Sequence, residues 1–224
     1  MCKGLDKSVP MKDSGIEWIG EVPEGWKRSM IKHLGSARNG LTYNPQDVTE
    51  NNADLLVLRS SNIKDGAIVL EDNVYVNREV KDELIVKEND ILICSRNGSR
   101  KLIGKNAIIS NNFRTTFGAF MMIYRCNINA KYMYYILNSE VFAYYLSTFL
   151  TATINQLTIS NFNNMEFVIT TNPIEQEAIV SYLDQKSSQI DTLISIKQQK
   201  MDELKEYKKS MIYEYITGKK QVPN

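Results

Sequence analysis

The sequence predicts an α+β protein: a mixed α/β domain over residues 1–172, a long coiled-coil-type helix over 173–218 and a tail over 219–224. Three observations predict this. Short apolar runs rich in Val, Ile and Leu alternate with turns containing Gly, Asn or Asp through the first two thirds of the chain. Inside that part, residues 131–149 switch to helical spacing. After Pro173 the pattern changes for good, since residues 175–216 contain neither Pro nor Gly.

Taken in order, "SGIEWIGEVPEGWKRSMIKHLG" carries Trp18 and Trp26 among Pro23 and Gly25, so both rings are expected to cap a core. Residues 55–63 and 67–70 read as strands joined through Lys64-Asp65-Gly66, whose Asp-Gly pair is a turn signal. Residues 84–94 read as two short strands around Asn89-Asp90. A polar loop, "SRNGSRKLIGK", precedes an apolar strand pair at Ala107–Ile109 and Gly118–Tyr124. Met133, Ile136, Leu137, Tyr144, Tyr145 and Phe149 then predict one tyrosine-rich amphipathic helix over 131–149. "TATINQLTISNFNNMEFVITT" returns to β-type residues.

Pro173 opens the last segment, Glu175 and Glu177 suit the positive end of a helix, and Gly218 stops it. Leu183, Ile190, Lys197, Leu204 and Met211 form a seven-residue column, flanked by Ile179, Leu193, Ile194, Met201, Tyr207 and Tyr215. A 42-residue helix would be ~63 Å long at ~1.5 Å per residue, and no small domain buries such an element along its length. It is expected to need a partner helix, through Ile179, Leu183, Ile190, Leu193, Ile194, Met201, Leu204 and Met211. The alternative is a shorter helix pair broken near Ser187–Gln189 and folded back.

No apolar run approaches the ~18 residues that cross a bilayer, and charges interrupt the first twenty residues, so a cytoplasmic protein with no membrane partner is expected. Cys2, Cys94 and Cys126 lie far apart, which suits small buried hydrophobes better than a disulfide framework. With His33 the lone histidine, no metal site is expected. The net charge of +1 conceals segregation: residues 1–90 carry 12 basic and 16 acidic side chains, whereas residues 91–139 carry seven basic and no acidic ones. That stretch would welcome a polyanion.

Catalytic signatures are missing from the sequence. There is no phosphate-binding G-x-x-x-x-G-K-[ST] loop and no G-x-S-x-G elbow. Asn172-Pro-Ile-Glu175 resembles half of the Asn-Pro-Pro-Tyr tetrapeptide of adenine methyltransferases, but lacks the aromatic that would stack on a flipped base. Binding chemistry is better represented, in three polar loops: "RSSNIKDG", "SRNGSRK" and "TATINQ". Arg and Lys can neutralise phosphates or bond guanine O6 and N7, while Asn and Gln suit adenine N6 and N7. The candidate DNA contacts are Arg59, Asn62, Lys64, Arg96, Asn97, Ser99, Arg100, Lys101, Asn155 and Gln156. The competing reading makes "RNG" an ordinary hairpin turn with exposed neighbours.

The stretches "DSGIEWIGEVPEGW", "LRSSNIKDG", "ENDILICSRNGSRKLIGKNAII" and "NPIEQEAIVSYLDQKSSQIDTLISIKQQKMDELKEYKKSMIYEYITGK" resemble type I restriction–modification specificity subunits across nearly the whole chain. The last stretch is the most specific, through Pro173, Gln176, Ile190-Asp191, Leu204-Lys205-Glu206-Tyr207 and Thr217-Gly218-Lys219. The resemblance implies a non-catalytic target-recognition domain that reads one half of a split double-stranded DNA site, with a spacer helix. It also implies partners: methyltransferase subunits that use S-adenosylmethionine and an ATP- and Mg2+-dependent restriction subunit. Family members carry two such domains and two helices, whereas this chain carries one of each, which implies a homodimer on a palindromic split site. Pairing with a different half, a fragment and a silent cassette are the alternatives within the family. Outside it stand a helical scaffold protein and a nuclease whose site is not visible in the sequence.

Overall fold

Runs of two to six residues, most of them apolar or β-branched, build short strands that only a shared core makes stable, because an isolated two-stranded ribbon is marginal in water. The computed structural model describes residues 8–16, 19–110, 114–150 and 155–222. Its strands in chain order are β1 (Met11–Asp13), β2 (Glu21–Pro23), β3 (Lys27–Met30), β4 (Gly35–Asn39), β5 (Val48–Thr49), β6 (Leu55–Leu58), β7 (Ile63–Lys64) and β8 (Ala67–Ile68). They continue with β9 (Val74–Val76), β10 (Ile91–Cys94), β11 (Asn106–Ile108), β12 (Thr115–Phe117), β13 (Met121–Cys126) and β14 (Glu166–Ile169). The helices are α1 (Ile31–Leu34), α2 (Ala130–Ile136), α3 (Glu140–Phe149), α4 (Ile159–Asn163) and α5 (Pro173–Ile216).

Two four-stranded sheets carry the fold. One is antiparallel, in the order β11-β10-β13-β4; the other has the order β12-β6-β9-β5, with β12 and β6 parallel. Leu92 and Cys94 of β10 join Leu56, Leu58, Phe117, Met121 and Ile123 in the main apolar cluster. The intervening Ile91 and Ile93 are buried as well, so β10 is covered on both faces. On β13, Tyr124 packs edge-on to Phe162 of α4 at 5.3 Å and donates to the carbonyl of Ile31 at 2.8 Å. Phe162 in turn meets Phe142 of α3 at 6.4 Å. Asp90, 1% exposed, receives a fork of bonds from Arg125 at 2.7 and 2.6 Å. At Gly40 any side chain would collide with backbone, since a Cβ would lie 2.2 Å from the carbonyl oxygen of Gly118.

Several sequence expectations need correction. Residues 84–94 form one strand, not two: Asp82–Leu84 is a 3-10 turn, and Asn89 adopts φ +68 as the chain turns into β10. The helix expected over 131–149 is two helices. Asn138 donates to the carbonyl of Tyr134 at 2.8 Å and to Asn106 Oδ1 at 2.9 Å, while Ser139 Oγ bonds the carbonyl of Ile136 at 2.7 Å. These side-chain bonds to the backbone end the first helix, as Asn and Ser do. The β-type stretch over residues 151–171 contains α4 ahead of β14, and Thr158 caps the start of this helix by accepting from Asn161 N at 3.1 Å. Residues 65–66, in contrast, form the expected tight turn of the β7–β8 hairpin, with φ +49 at Asp65 and +76 at Gly66. Trp26 is buried and donates to Glu175 at 2.9 Å, whereas Trp18, Cys2 and residues 151–154 lie outside the described residues.

α5 is continuous over 44 residues, with no break at Ser187–Gln189. The chain divides into two compact units between Val180 and Ser181, inside this helix and not at its start. The first unit includes the opening turns of α5 because Gln176, Ile179 and Val180 are buried there. Ile179, assigned from the sequence to a partner-facing stripe, is 5% exposed and belongs to this core instead. In the second unit, Ile190, Leu193, Ile194, Met201 and Leu204 are all exposed, Leu183 and Met211 half-buried. Pairs such as Lys205–Asp202 at 2.8 Å and Lys209–Glu206 at 2.6 Å line other faces of the helix. Among the described residues no helix is long and apolar enough to cross a membrane.

Gln176, 3% exposed, fastens α5 to the first unit: its Nε2 donates to the Thr170 carbonyl at 2.9 Å, and its Oε1 accepts from Asn129 N at 3.1 Å. Gln176→Ala leaves both backbone groups without their partner, so urea denaturation should show a loss of about 2–4 kcal/mol. Glu177→Ala, which removes only an exposed bond from Asn129 at 3.0 Å, should cost less than about 1 kcal/mol.

Candidate nucleic-acid interface

Strict alternation along β10 would place Arg96 on the same face as Leu92 and Cys94, inside the core. It does not go there, because the strand bulges. The backbone N–H groups of Ser95 and Arg96 both donate to the carbonyl of Phe120 at 3.0 Å, two residues against one. Ser95 Oγ adds a third bond to the same oxygen at 3.0 Å. The extra residue turns Arg96 outward, as bulges do at strand ends. Its guanidinium lies 5.2 Å from the centroid of the Phe120 ring.

The loop that follows connects two other polar segments. Asn97 Nδ2 donates to Ser60 Oγ at 3.2 Å, and Lys105 Nζ lies 3.5 Å from the Ser60 carbonyl. On the other side Arg96 forms a β-bridge with Gln156, and Leu157 N donates to the Ser95 carbonyl at 2.8 Å. Loops that are far apart in sequence therefore meet on one surface. Ser99, Arg100 and Lys101 are exposed on it, Arg100 lying 3.5 Å from the Ser147 carbonyl, and Asn155 and Gln156 are half-buried beside it. Beside Phe120 opens a cleft of about 480 Å³, whose lining includes Tyr43, Arg59, Ser60, Ser61 and Asp72.

Arg59 reaches this cleft with its charge already engaged by the Asp72 carboxylate at 3.0 Å. Lys64 is ion-paired with Glu71, and the hairpin tip that follows it packs near the hydroxyl of Tyr134 at Gly66. Asn62 is withdrawn from the set of contacts. It is fully buried, accepts from Arg59 N at 2.9 Å, and donates to the carbonyls of Val69 and Glu71 at 3.1 Å and to Asn73 at 3.2 Å. Its amide holds the 59–73 segment together. The acid-free stretch is partly neutralised in space too, since Arg125 is bonded to Asp90.

Sequence reasoning missed Phe120, which is 59% exposed, and Ser60, whose hydroxyl accepts from Asn97 and so joins two loops. The apolar pattern places Gly118-Ala119-Phe120 in a strand, whereas β13 begins at Met121. The available signal was a large aromatic after two small residues, outside the alternation of its neighbours. Burial pushes the Cys94 thiol up beside the site and pushes Cys126, at the other end of β13, up to about 11, so both stay protonated at neutral pH. Among the described residues no group of His, Cys, Asp and Glu could hold a metal ion.

Residues 23–206 match the family described as "Type I restriction modification DNA specificity domain". The chain belongs to this family. It is 27% identical over 208 residues to the type I restriction enzyme StySPI specificity subunit of Salmonella potsdam, a match covering 89% of this chain and 44% of that protein. With the MjaVIII specificity subunit of Methanocaldococcus jannaschii it shares 24% over 234 residues, 99% of this chain and 52% of that one. The chain thus spans about half the length of these relatives. Its fold is shared with a chain from a solved type I R-M system (TM-score 0.71, 18% identity, 86% of this chain and 46% of that one). The HsdS subunit from Thermoanaerobacter tengcongensis has a TM-score of 0.58 at 19% identity, with 77% and 40% covered.

For this specificity-domain protein, Asn62→Ala should act on folding. The change removes the partner of two carbonyls and one backbone N–H beside a fully buried side chain, so urea denaturation should show a loss of about 2–4 kcal/mol. Lys101→Ala, at an exposed position of the same surface, should stay within about 0.5 kcal/mol.

Proposed function

We propose that this chain is the DNA-reading subunit of a type I restriction–modification complex. In this reading it recognises one half of a bipartite site and pairs with a second copy through the part of α5 beyond Val180. The observation that carries the reading is the meeting of Arg96, Asn97, Ser60 and Gln156 on one bulged surface, with Ser99, Arg100 and Lys101 exposed beside them. Forked and amide donors close together are what reading base edges requires, and neighbouring cations hold phosphates.

Membership of the family supports the same role, and the catalytic chemistry falls to partners. Methyltransferase subunits carry S-adenosylmethionine, and a restriction subunit carries ATP and Mg2+; this chain works with them in the cytoplasm. The exposed stripe of Ile190, Leu193, Ile194, Met201 and Leu204 supports the pairing. Each such side chain gains ~1.5–3 kcal/mol when taken fully from water. Two identical halves related by a twofold axis read a palindromic split site.

The test is to map methylated adenines across the genome of the source cell with and without this gene. Loss of a palindromic split motif is the expected result. Loss of an asymmetric split motif would replace the second copy with a different half, and an unchanged pattern would overturn the DNA-reading role in favour of a scaffold or silent copy. Ile190→Asp with Leu204→Asp, both at positions 56% exposed, should leave the first unit folded and turn a dimer into a monomer by light scattering. A double variant that is still dimeric would remove α5 from the assembly.

A further inference from the structure

We propose that Phe120 and Arg96 act as one unit that reads a guanine next to a thymine in the DNA major groove, Arg96 on the guanine and Phe120 on the methyl group of the thymine. This rests on the DNA-reading proposal and assigns a residue that no sequence motif pointed to. Two observations and one geometric argument carry it. Phe120 has an exposed ring but a fixed backbone, since its carbonyl takes three hydrogen bonds from Ser95 and Arg96. An exposed apolar ring on a backbone fixed in this way presents its surface to a partner from a defined position.

The guanidinium of Arg96 lies over that ring at 5.2 Å, and its own backbone is anchored to Phe120 as well. The ring therefore limits the rotamers of a long side chain before any ligand arrives, and binding has less freedom to remove. Geometry supplies the third argument. Arginine bonds guanine O6 and N7 in the plane of the base. Successive base pairs are separated by ~3.4 Å along a strand, and the Phe120 ring centroid, 5.2 Å from the Arg96 guanidinium, lies within reach of the neighbouring pair. In the major groove the apolar feature at that level is the C5-methyl group of thymine, and aromatic side chains contact it. Ser60 and Arg59 line the cleft beside the ring, where they can hold the adjoining backbone.

The experiment selects a fully randomised duplex pool on the full chain, then replaces each thymine of the recovered motif by deoxyuridine. The expected motif contains a guanine beside a thymine, and one thymine-to-uracil change weakens wild-type binding about fourfold, the effect of one methyl-sized apolar contact. Phe120→Ala should bind the thymine and uracil duplexes equally, Phe120→Tyr should restore the difference, and Arg96→Ala should lose the adjacent guanine preference by about tenfold. A uracil penalty that persists in Phe120→Ala, or a motif without a guanine–thymine neighbour, overturns the assignment. The wild-type comparison needs no variant to fold. A wild-type chain that enriches no motif overturns the DNA-reading proposal itself, which separates the two failures.

Discussion

Where the ladder between β10 and β13 ends at Cys94 and Met121, one carbonyl oxygen, that of Phe120, accepts from Ser95 N, Arg96 N and Ser95 Oγ. The candidate surface depends on this two-against-one contact. Without it Arg96 would continue the buried face of Leu92 and Cys94, and an unpaired guanidinium in that cluster would be prohibitive. With it, a strand buried on both faces delivers a charged side chain to solvent within two residues. The neighbouring loops inherit their position from the same point, through Gln156 at the bridge with Arg96 and Ser60 at Asn97.

Around that contact the charges are arranged differently in space than along the chain. Residues 91–139 contain seven cations and no acids, but Asp90, one position outside, takes Arg125 out of play. Arg59 and Lys64, each from a polar loop, are held by Asp72 and Glu71. Exposed pairs of this kind contribute ~0–1 kcal/mol to folding, so a phosphate could displace the acid at little cost. Three of the other cations, Arg96, Arg100 and Lys101, are exposed within one loop. A count along the sequence therefore overstates the free charge of this stretch, since one of its seven cations is already paired with Asp90.

Periodicity and turn chemistry were legible. The Asp65-Gly66 turn, the strands at Leu55–Leu58 and Ala107, and the long helix from Pro173 all follow from local rules. Those local rules failed where a side chain bonds out of register. Asn138 and Ser139 cut one helical pattern into two helices, and Asn62 carries the polar chemistry of a DNA contact while serving as a buried staple. The bulge at Ser95 was invisible for the same reason. Its determinant is a carbonyl twenty-five residues away, and nothing in "ICSRNG" differs from an ordinary strand leading into a turn.

The helix shows the limit most plainly. Gln176, Ile179, Leu183, Ile190, Ile194, Met201 and Leu204 lie within one stripe by their spacing at about 3.6 residues per turn. Its first members are buried by the unit that ends at Val180, and its later members are exposed. A single periodic pattern thus meets two kinds of demand, one satisfied within the chain and one left open. Pattern alone cannot separate Ile179 from Ile190, because both are apolar members of one stripe, yet one is 5% and the other 56% exposed. The residue that marks the change is polar: Gln176 is engaged by Asn129 and Thr170 from other elements, a pairing that an exposed stripe has no use for. A glutamine inside an apolar stripe, tied to backbone on both its atoms, signals that the stripe has found its cover within the chain. Beyond Val180 the stripe continues without such a residue, and its members Ile190, Ile194, Met201 and Leu204 stay exposed.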